Sequence, residues 1–404
     1  MNDRGSAIVA GHICLDIIPK FDPNTNFDDK LLFQPGSLTR VGPAILATGG
    51  PVSNTGLILH RLGIPTTLLA KTGDDLFGQA IRQIVTHHGP GLDHGLIVDK
   101  TVSTSYTVIV SPPGIDRLFF HCPGANDTFG VEDIPFEIFE RADLFHFGYP
   151  PVMKRLYQNK GEELVQIFRR AKESGITTSL DLCMPDPTSE SGKIDWTEIL
   201  TKTLPYVDIF LPSLDEILFM LEHEWFEQRR AHEDIQELFL EKPALLSNLG
   251  RRILEMGVKI LLIKLGENGA YLRTADNRMI TRLGRARPSY LERWSNRELW
   301  VPCFKVNVVG TTGAGDATIA GFLSSLLRGF TPEDALISAA AVGACNVEAS
   351  DALSGVPAWA KVQERILAGW EQLFYRRELE GWNWSELGLW KSYDDAMNDS
   401  WRLE

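Results

Sequence analysis

The chain has 404 residues, 44% of them hydrophobic, and a formal net charge of −13. That is enough apolar material for one domain of about 300 residues with an accessory part. The acidic balance argues against a nucleic-acid or anionic-membrane partner, and no stretch reaches the roughly 18 apolar residues of a transmembrane helix.

Residues 7–10 read as a short apolar strand ended by Gly11. Asp3 and Arg4 precede it, without the apolar core of a secretory signal, so a cytoplasmic location is expected. Cys14, Cys122, Cys183, Cys303 and Cys345 form no Cys-x-x-Cys pair and read as free thiols, not as a zinc site or disulfide framework. Asp16 follows among apolar residues, where an acid caps a turn or faces a polar ligand. Residues 20–45, rich in Asp, Asn, Pro and Gly, read as an excursion from the main sheet.

Gly49-Gly50-Pro51-Val52-Ser53-Asn54 then opens a helix over 52–62, with proline near its first turn. A tight turn explains the glycines; so does a backbone pressed against a substrate, with Asn54 offering an amide. A strand over 66–70, a helix over 76–88 and a hairpin over 104–110 and 116–121 come next. From 144 onward strand and helix alternate, with strands at 144–147, 177–182, 208–211 and 259–264, which is the pattern of a parallel sheet covered on both faces. Ligands of such sheets sit beyond the carboxyl ends of the strands. Asp16, Gly49, Glu216, Gly266 and Asp316 lie just after predicted strands or at the next helix start, so they can converge on one edge. Residues 223–250 read as a charged helical insertion. Residues 282–300 hold five arginines and two tryptophans and read as a solvated loop or subunit contact.

Residues 306–309 are β-branched and suit a buried strand. Residues 310–315, Gly-Thr-Thr-Gly-Ala-Gly, form a turn whose amides can approach a ligand, and a helical pattern starts at Asp316. A helix N-terminus suits a phosphate. Asp316 at that mouth is either an N-cap or a base acting on an attacking hydroxyl, and local sequence leaves the two open. No Gly-Lys-Ser/Thr follows, so this is not a Walker A loop, and it lacks the dinucleotide fingerprint. The helix over 332–347 is rich in small residues. Six of the ten tryptophans lie after Pro357, so the tail is expected to pack on the body or on a second subunit, which allows a homodimer.

In this order, these segments resemble the ribokinase-like, or PfkB-type, carbohydrate kinases over residues 7–357. Thr312-Gly313-Ala314-Gly315-Asp316 is similar to the family's C-terminal signature, and Gly49-Gly50-Pro51-Val52-Ser53-Asn54 to its N-terminal one. The resemblance implies a three-layer α/β/α ribokinase-like fold, with a central, mostly parallel sheet and a small β lid from segments 20–45 and 104–121. It divides the chain into a kinase domain, 1–357, and a Trp-rich extension, 358–404. It implies transfer of phosphate from ATP, with Mg2+, to a hydroxymethyl group of a small sugar or sugar-like molecule. Asp316 would be the base, and Gly313, Ala314 and Gly315 the anion hole. Asp16, Gly49, Gly50, Asn54 and Asn126 would bind substrate. Lys264, Gly266, Gly269, Thr312 and Asn346 would attend the nucleotide, and Glu216 the magnesium, directly or through water.

Two departures stand out. The family's Asn-x-x-Glu reads Ser213-Leu214-Asp215-Glu216, with Asp215 a candidate substitute for the lost amide. The family's aspartate before the glycine turn is Gly310, which weighs against an activating monovalent cation. A nucleoside kinase, with Tyr106, Phe119 and Phe120 against the base, and a non-catalytic sugar or nucleotide sensor are the alternatives. No compact Lys/Arg set marks a phosphorylated substrate, although Arg40 and Arg117 lie near the lid segments.

Overall fold

A computed structural model of the chain describes residues 5–22, 35–36, 38–113, 118–373 and 378–395. Much of the 20–45 excursion, Arg117 and Trp401 lie outside them. The main sheet has eleven strands in the order β14-β15-β13-β12-β11-β10-β9-β8-β1-β4-β5. These are β1 (Ala7–Gly11), β4 (Thr66–Gly73), β5 (Leu96–Asp99), β8 (Leu144–Gly148), β9 (Thr177–Asp181), β10 (Ile209–Phe210), β11 (Ile260–Lys264), β12 (Ala270–Thr274), β13 (Glu298–Val301), β14 (Trp382–Trp384) and β15 (Trp390–Ser392). From β11 to β5 each pairing is parallel. From β11 to β14 each is antiparallel.

Alternation along the central strands assigns the two layers. Val9, Leu68 and Leu262 join helices Pro51–Arg61, Ala314–Leu327 and Pro332–Asn346 in one core. Ile8, Phe145, Phe147 and Leu261 join helices Lys154–Glu173, Trp196–Thr203, Leu214–Leu221 and Pro243–Glu255 in the other. The fold is therefore three-layered, with a mostly parallel centre, as the alternating pattern implied. The 223–250 insertion is helical, and Phe226, Ile235 and Phe239 tie it to the second core. Among the described residues no helix is long and apolar enough to cross a membrane.

A second sheet, ordered β3-β2-β6-β7, stands beside the first. It comprises β2 (Cys14–Pro19), β3 (Ala44–Gly49), β6 (Tyr106–Val110) and β7 (Leu118–Cys122). β2 and β3 border the 20–45 excursion, of which residues 23–34 and 37 lie outside the described ones, and β6 and β7 form the anticipated hairpin. Asp16 pairs with Ala47 and Thr107, and Thr107 with His121. Paired residues share a face, so Asp16, Thr107 and His121 form one row.

The tail adds strands to the sheet of its own chain. β15 pairs with β13, placing Trp390 opposite Trp300. Trp382 packs its ring 6.2 Å from both Trp300 and Tyr271. The arginine-rich segment is not a solvated loop throughout: Arg285 donates to the carbonyls of Ala142 and Ser174, both at 2.8 Å. Trp294 and Trp300 are buried. Arg297, whose side chain is wholly buried, donates from Nε to Asp395 at 3.0 Å and pairs with Glu333. Removing one member of a buried pair strands the other charge and costs about 3–5 kcal/mol. Arg297→Met is expected to lose about that much stability by urea unfolding; a loss of under about 1 kcal/mol would show that the tail is not held by this pair.

Candidate active site

The chain does not form the strand anticipated over 306–309. Val308 and Val309 are 60% and 56% exposed, and they line a cleft of about 680 Å3 with Asp16, Ala47, Gly310 and Thr312. Their backbone is tied elsewhere: Val309 N and Gly310 N donate to Val347 O at 2.8 and 3.3 Å. The glycine turn then delivers the helix Ala314–Leu327. Its N-cap is Gly313 at φ 75°, and no side chain caps it.

Asp316, 2% exposed, therefore does not cap its own helix. Its carboxylate is gripped by other elements. Asn54 Nδ2 donates to Oδ2 at 3.0 Å and Thr55 Oγ1 to Oδ1 at 3.2 Å, both from the first turns of Pro51–Arg61. Tyr149 OH donates to Oδ2 at 3.1 Å. Burial raises the Asp316 pKa, while the Asn54, Tyr149 and Thr55 donors and the Lys264 charge oppose that rise. Tyr149 follows β8 with φ 65°, a left-handed conformation that costs a non-glycine residue roughly 1–3 kcal/mol. The hydroxyl is thus placed by a strained backbone.

Asp16 lies within β2, on the small sheet, and not after a strand as anticipated. Its pKa is pushed up to about 6, chiefly by burial, against donors on Cys14 and Thr107. The Cys14 thiol donates to Oδ1 at 3.3 Å. The double glycine exists for closeness. A Cβ on Gly49 would come within 2.4 Å of Asp16 Oδ2, and one on Gly50 within 2.5 Å of His12 Nδ1. Gly50 also holds φ 86°. Gly50→Ala is expected to destabilise the protein by at least about 1–3 kcal/mol from backbone strain; an unchanged thermal midpoint would contradict this.

Lys264, closing β11, donates from Nζ to Asp181 Oδ1 at 2.6 Å and stands 4.0 Å from Glu216. Asp181 ends β9, is fully buried, and its Oδ2 has no hydrogen-bond partner. Burial pushes the Asp181 and Glu216 carboxyls up, and Lys264 opposes this in both. Ser213 and Glu216 form a reciprocal cap: Ser213 N donates to Glu216 Oε2 at 2.7 Å, and Glu216 N to Ser213 Oγ at 3.3 Å. Asp215 does not replace the lost amide beside Lys264; it hydrogen-bonds Gln236 of the insertion.

The other anticipated residues have structural partners of their own. Asn126 spends its amide on the backbone of Ile13, donating to the carbonyl at 2.8 Å and accepting from the N–H at 3.3 Å. Asn346 donates to Ala352 O at 2.6 Å, fixing a loop of the cleft, while its Oδ1 is buried without a partner. Gly269 serves the β11–β12 turn, where a Cβ would fall 1.9 Å from Val301 O. Gly266 is exposed with open space around it. Sequence reasoning missed Thr55, Tyr149 and Asp181. The last two follow or end parallel strands, and the rule that ligands gather at strand carboxyl ends was the available signal.

Comparison with known proteins agrees with this geometry. Residues 20–359 match the model of the pfkB family carbohydrate kinases. A probable chloroplastic fructokinase-6 of Arabidopsis thaliana is 26% identical over 80% of this chain and 75% of its own length. An uncharacterized sugar kinase of Archaeoglobus fulgidus is 27% identical over 74% and 98%. The structure of a fructokinase with bound ATP from Xylella fastidiosa superposes with a TM-score of 0.65 at 20% identity, covering 90% of this chain and 98% of that one. A parallel sheet with a buried acid at a glycine-led helix, matched over most of its length by one family, identifies the chain as a member of the PfkB carbohydrate kinases, ATP-dependent phosphotransferases.

Proposed function

We propose that this enzyme transfers phosphate from ATP to a hydroxymethyl group of a small sugar or sugar-like molecule, with Asp316 as base. The observation that carries this is the Asp316 carboxylate, buried at a helix N-terminus and oriented by Asn54, Thr55 and Tyr149. In water an aspartate is a weak base, with a pKa of about 3.9; burial raises this one and so strengthens it. The Gly313, Ala314 and Gly315 amides at the helix start face the transferring phosphoryl group, where negative charge is stabilised. Asp16, Gly49, Gly50 and Asn54 hold the sugar, Asn54 chiefly by orienting the base. Asn126 acts behind them through Ile13. Lys264, Gly266, Gly269, Thr312 and Asn346 serve the nucleotide side. The exposed pair Val308 and Val309 offers it an apolar surface.

Among the described residues no cluster of three ligating side chains could hold a metal alone. This fits magnesium, which binds through one or two carboxylates, waters and the nucleotide's phosphates. Glu216 and the unpartnered Asp181 Oδ2 are the carboxylates for it. The ion would neutralise charge on the phosphates. Gly310 brings no carboxylate, and we assign this site no monovalent cation.

The test is an ATP-consumption screen over pentoses, hexoses, keto-deoxy acids and nucleosides. Absence of substrate-stimulated ADP release across the panel would favour a non-catalytic sensor. A nucleoside acceptor is the second reading: Phe119, 56% exposed, lies opposite Ile109, which lines the cleft.

With the best substrate, kcat/KM is expected to fall as pH drops through about 6, because protonated Asp16 no longer accepts two hydroxyl hydrogen bonds. Asp316, also raised, adds to the acid limb. Asp16→Asn should therefore lower kcat/KM and leave an acid limb with one proton fewer in its slope. An unchanged slope would remove Asp16 from the profile.

A further inference from the structure

His12 lies in the turn between β1 and β2, 4% exposed, and neither ring nitrogen has a hydrogen-bond partner among the described residues. A buried polar atom left unsatisfied costs about 1–3 kcal/mol, so this ring is unfavourable in the sugar-free protein unless something completes it. Its neighbours locate it. The His121 ring is 5.2 Å away and the Tyr149 ring 6.3 Å, centroid to centroid. His121 Nδ1 lies 3.0 Å from the hydroxyl of Thr107, directly opposite Asp16 in the small sheet. Tyr149 holds Asp316. His12 therefore sits between the wall that carries Asp16 and the acid that carries the reaction.

Burial, reinforced by His121, keeps the His12 pKa well below its usual value, and partial desolvation of the otherwise exposed His121 ring lowers its own. Each ring is thus neutral near pH 7 and offers one N–H donor and one acceptor, the pair of functions that a hydroxyl group matches. Among the described residues the groups around the two rings are Cys14, Asp16, Asn54, Thr55, Thr107, Tyr149 and Asp316, with no cation among them; Arg61, which lines the cleft with Asp16, donates to the carbonyls of Leu353 and Val356. Lys264, the nearby ammonium, is engaged by Asp181. Among the described residues an anionic substrate would meet two carboxylates, with Arg61 and Lys264 already engaged by other groups.

We propose that His12 and His121 read hydroxyl groups of the acceptor, and that this acceptor is an uncharged polyhydroxy compound, not a sugar phosphate or sugar acid. The inference rests on the phosphotransfer reading above, because it takes the space between Asp16 and Asp316 as the acceptor's place.

The test combines thermal-shift and calorimetric binding with ADP release. The uncharged probes are D-fructose, D-ribose, myo-inositol and adenosine; the anionic ones are D-fructose 6-phosphate, D-ribose 5-phosphate and D-gluconate. An uncharged probe is expected to raise the melting temperature and to be phosphorylated, and the anions to do neither. In His12→Phe the free protein should melt no lower than the parent, since a stranded polar ring is gone, yet the sugar-induced shift should vanish. The KM for sugar should rise roughly tenfold per lost hydrogen bond, with the KM for ATP within about twofold. His121→Phe, at the sheet edge, should show the same split if His12→Phe does not fold. Unchanged sugar affinity in these variants, a preferred anionic probe, or no binding of any uncharged probe would overturn the proposal. Binding of an uncharged probe that depends on His12 but releases no ADP would support it and count against the kinase reading.

Discussion

Asp316→Asn is expected to lower kcat by about 10²–10⁴-fold, the usual contribution of a positioned general base. The affinity for sugar and for ATP should change little. The carboxylate accepts from Asn54 on one oxygen and Thr55 on the other, with Tyr149 alongside. An amide has only one acceptor oxygen, so one donor loses its partner, while the volume and the helix start are preserved. Turnover and equilibrium binding of an ATP analogue separate the two effects. A variant with near-parental kcat would exclude Asp316 as base. A variant that no longer bound sugar would show that it holds the substrate instead of acting on it.

Lys264→Met is the second large effect. The ammonium faces the wholly buried Asp181 and stands near Glu216 and Asp316. Its removal leaves three carboxyls that raise one another's pKa. Stability is expected to fall by about 3–5 kcal/mol at pH 8, as for other broken buried pairs. The sign with pH follows from the direction of the shift. A carboxyl whose folded pKa lies above its unfolded value favours folding at low pH, and that contribution disappears as pH rises through the folded pKa. The variant should therefore be less impaired at pH 5.5 than at pH 8, relative to the parent at each pH. Urea unfolding at the two values checks this; equal losses would mean that none of the three carboxyls titrates between them. Activity should drop with stability, since the lysine stands against Gly315 of the phosphate turn.

The Arg297 pair shows the same physics remote from chemistry. There the buried charges close the tail onto the sheet. At Lys264 they are arranged around Asp316, the acid proposed as base. The low-dielectric surroundings that make a broken pair costly are also what lift Asp316 toward a useful basicity.

Much of the molecule was legible from local pattern. Hydrophobic alternation and turn chemistry placed β1, β4, β8, β9 and β11 and the helices between them, because strand and helix periods are local properties. The glycine turn before Asp316 was legible because a φ of 75° at Gly313 is a demand on one residue. Residue order alone placed Glu216, Gly266 and Asp316 after strands or at helix starts on one edge of the parallel sheet, while Asp16 came out on the small sheet instead. What pattern could not supply was the partner of each polar side chain. Asn54 and Asp316 are 262 residues apart in sequence, and nothing local distinguishes an amide that orients an acid from one that touches a sugar. Asn126 fits the same motif reading, yet it holds Ile13. Val308 and Val309 have strand-like composition, but strand formation requires a neighbouring strand, and the Val309 N–H bonds to Val347 instead. The sequence by itself determined the layers and the glycine turn that opens the helix carrying Asp316. Only the tertiary structure decided that Thr55 and Tyr149 hold that acid, that Asp181 balances Lys264, and that the tryptophan-rich tail extends the sheet, because hydrogen bonds and ion pairs depend on distances that chain closure sets.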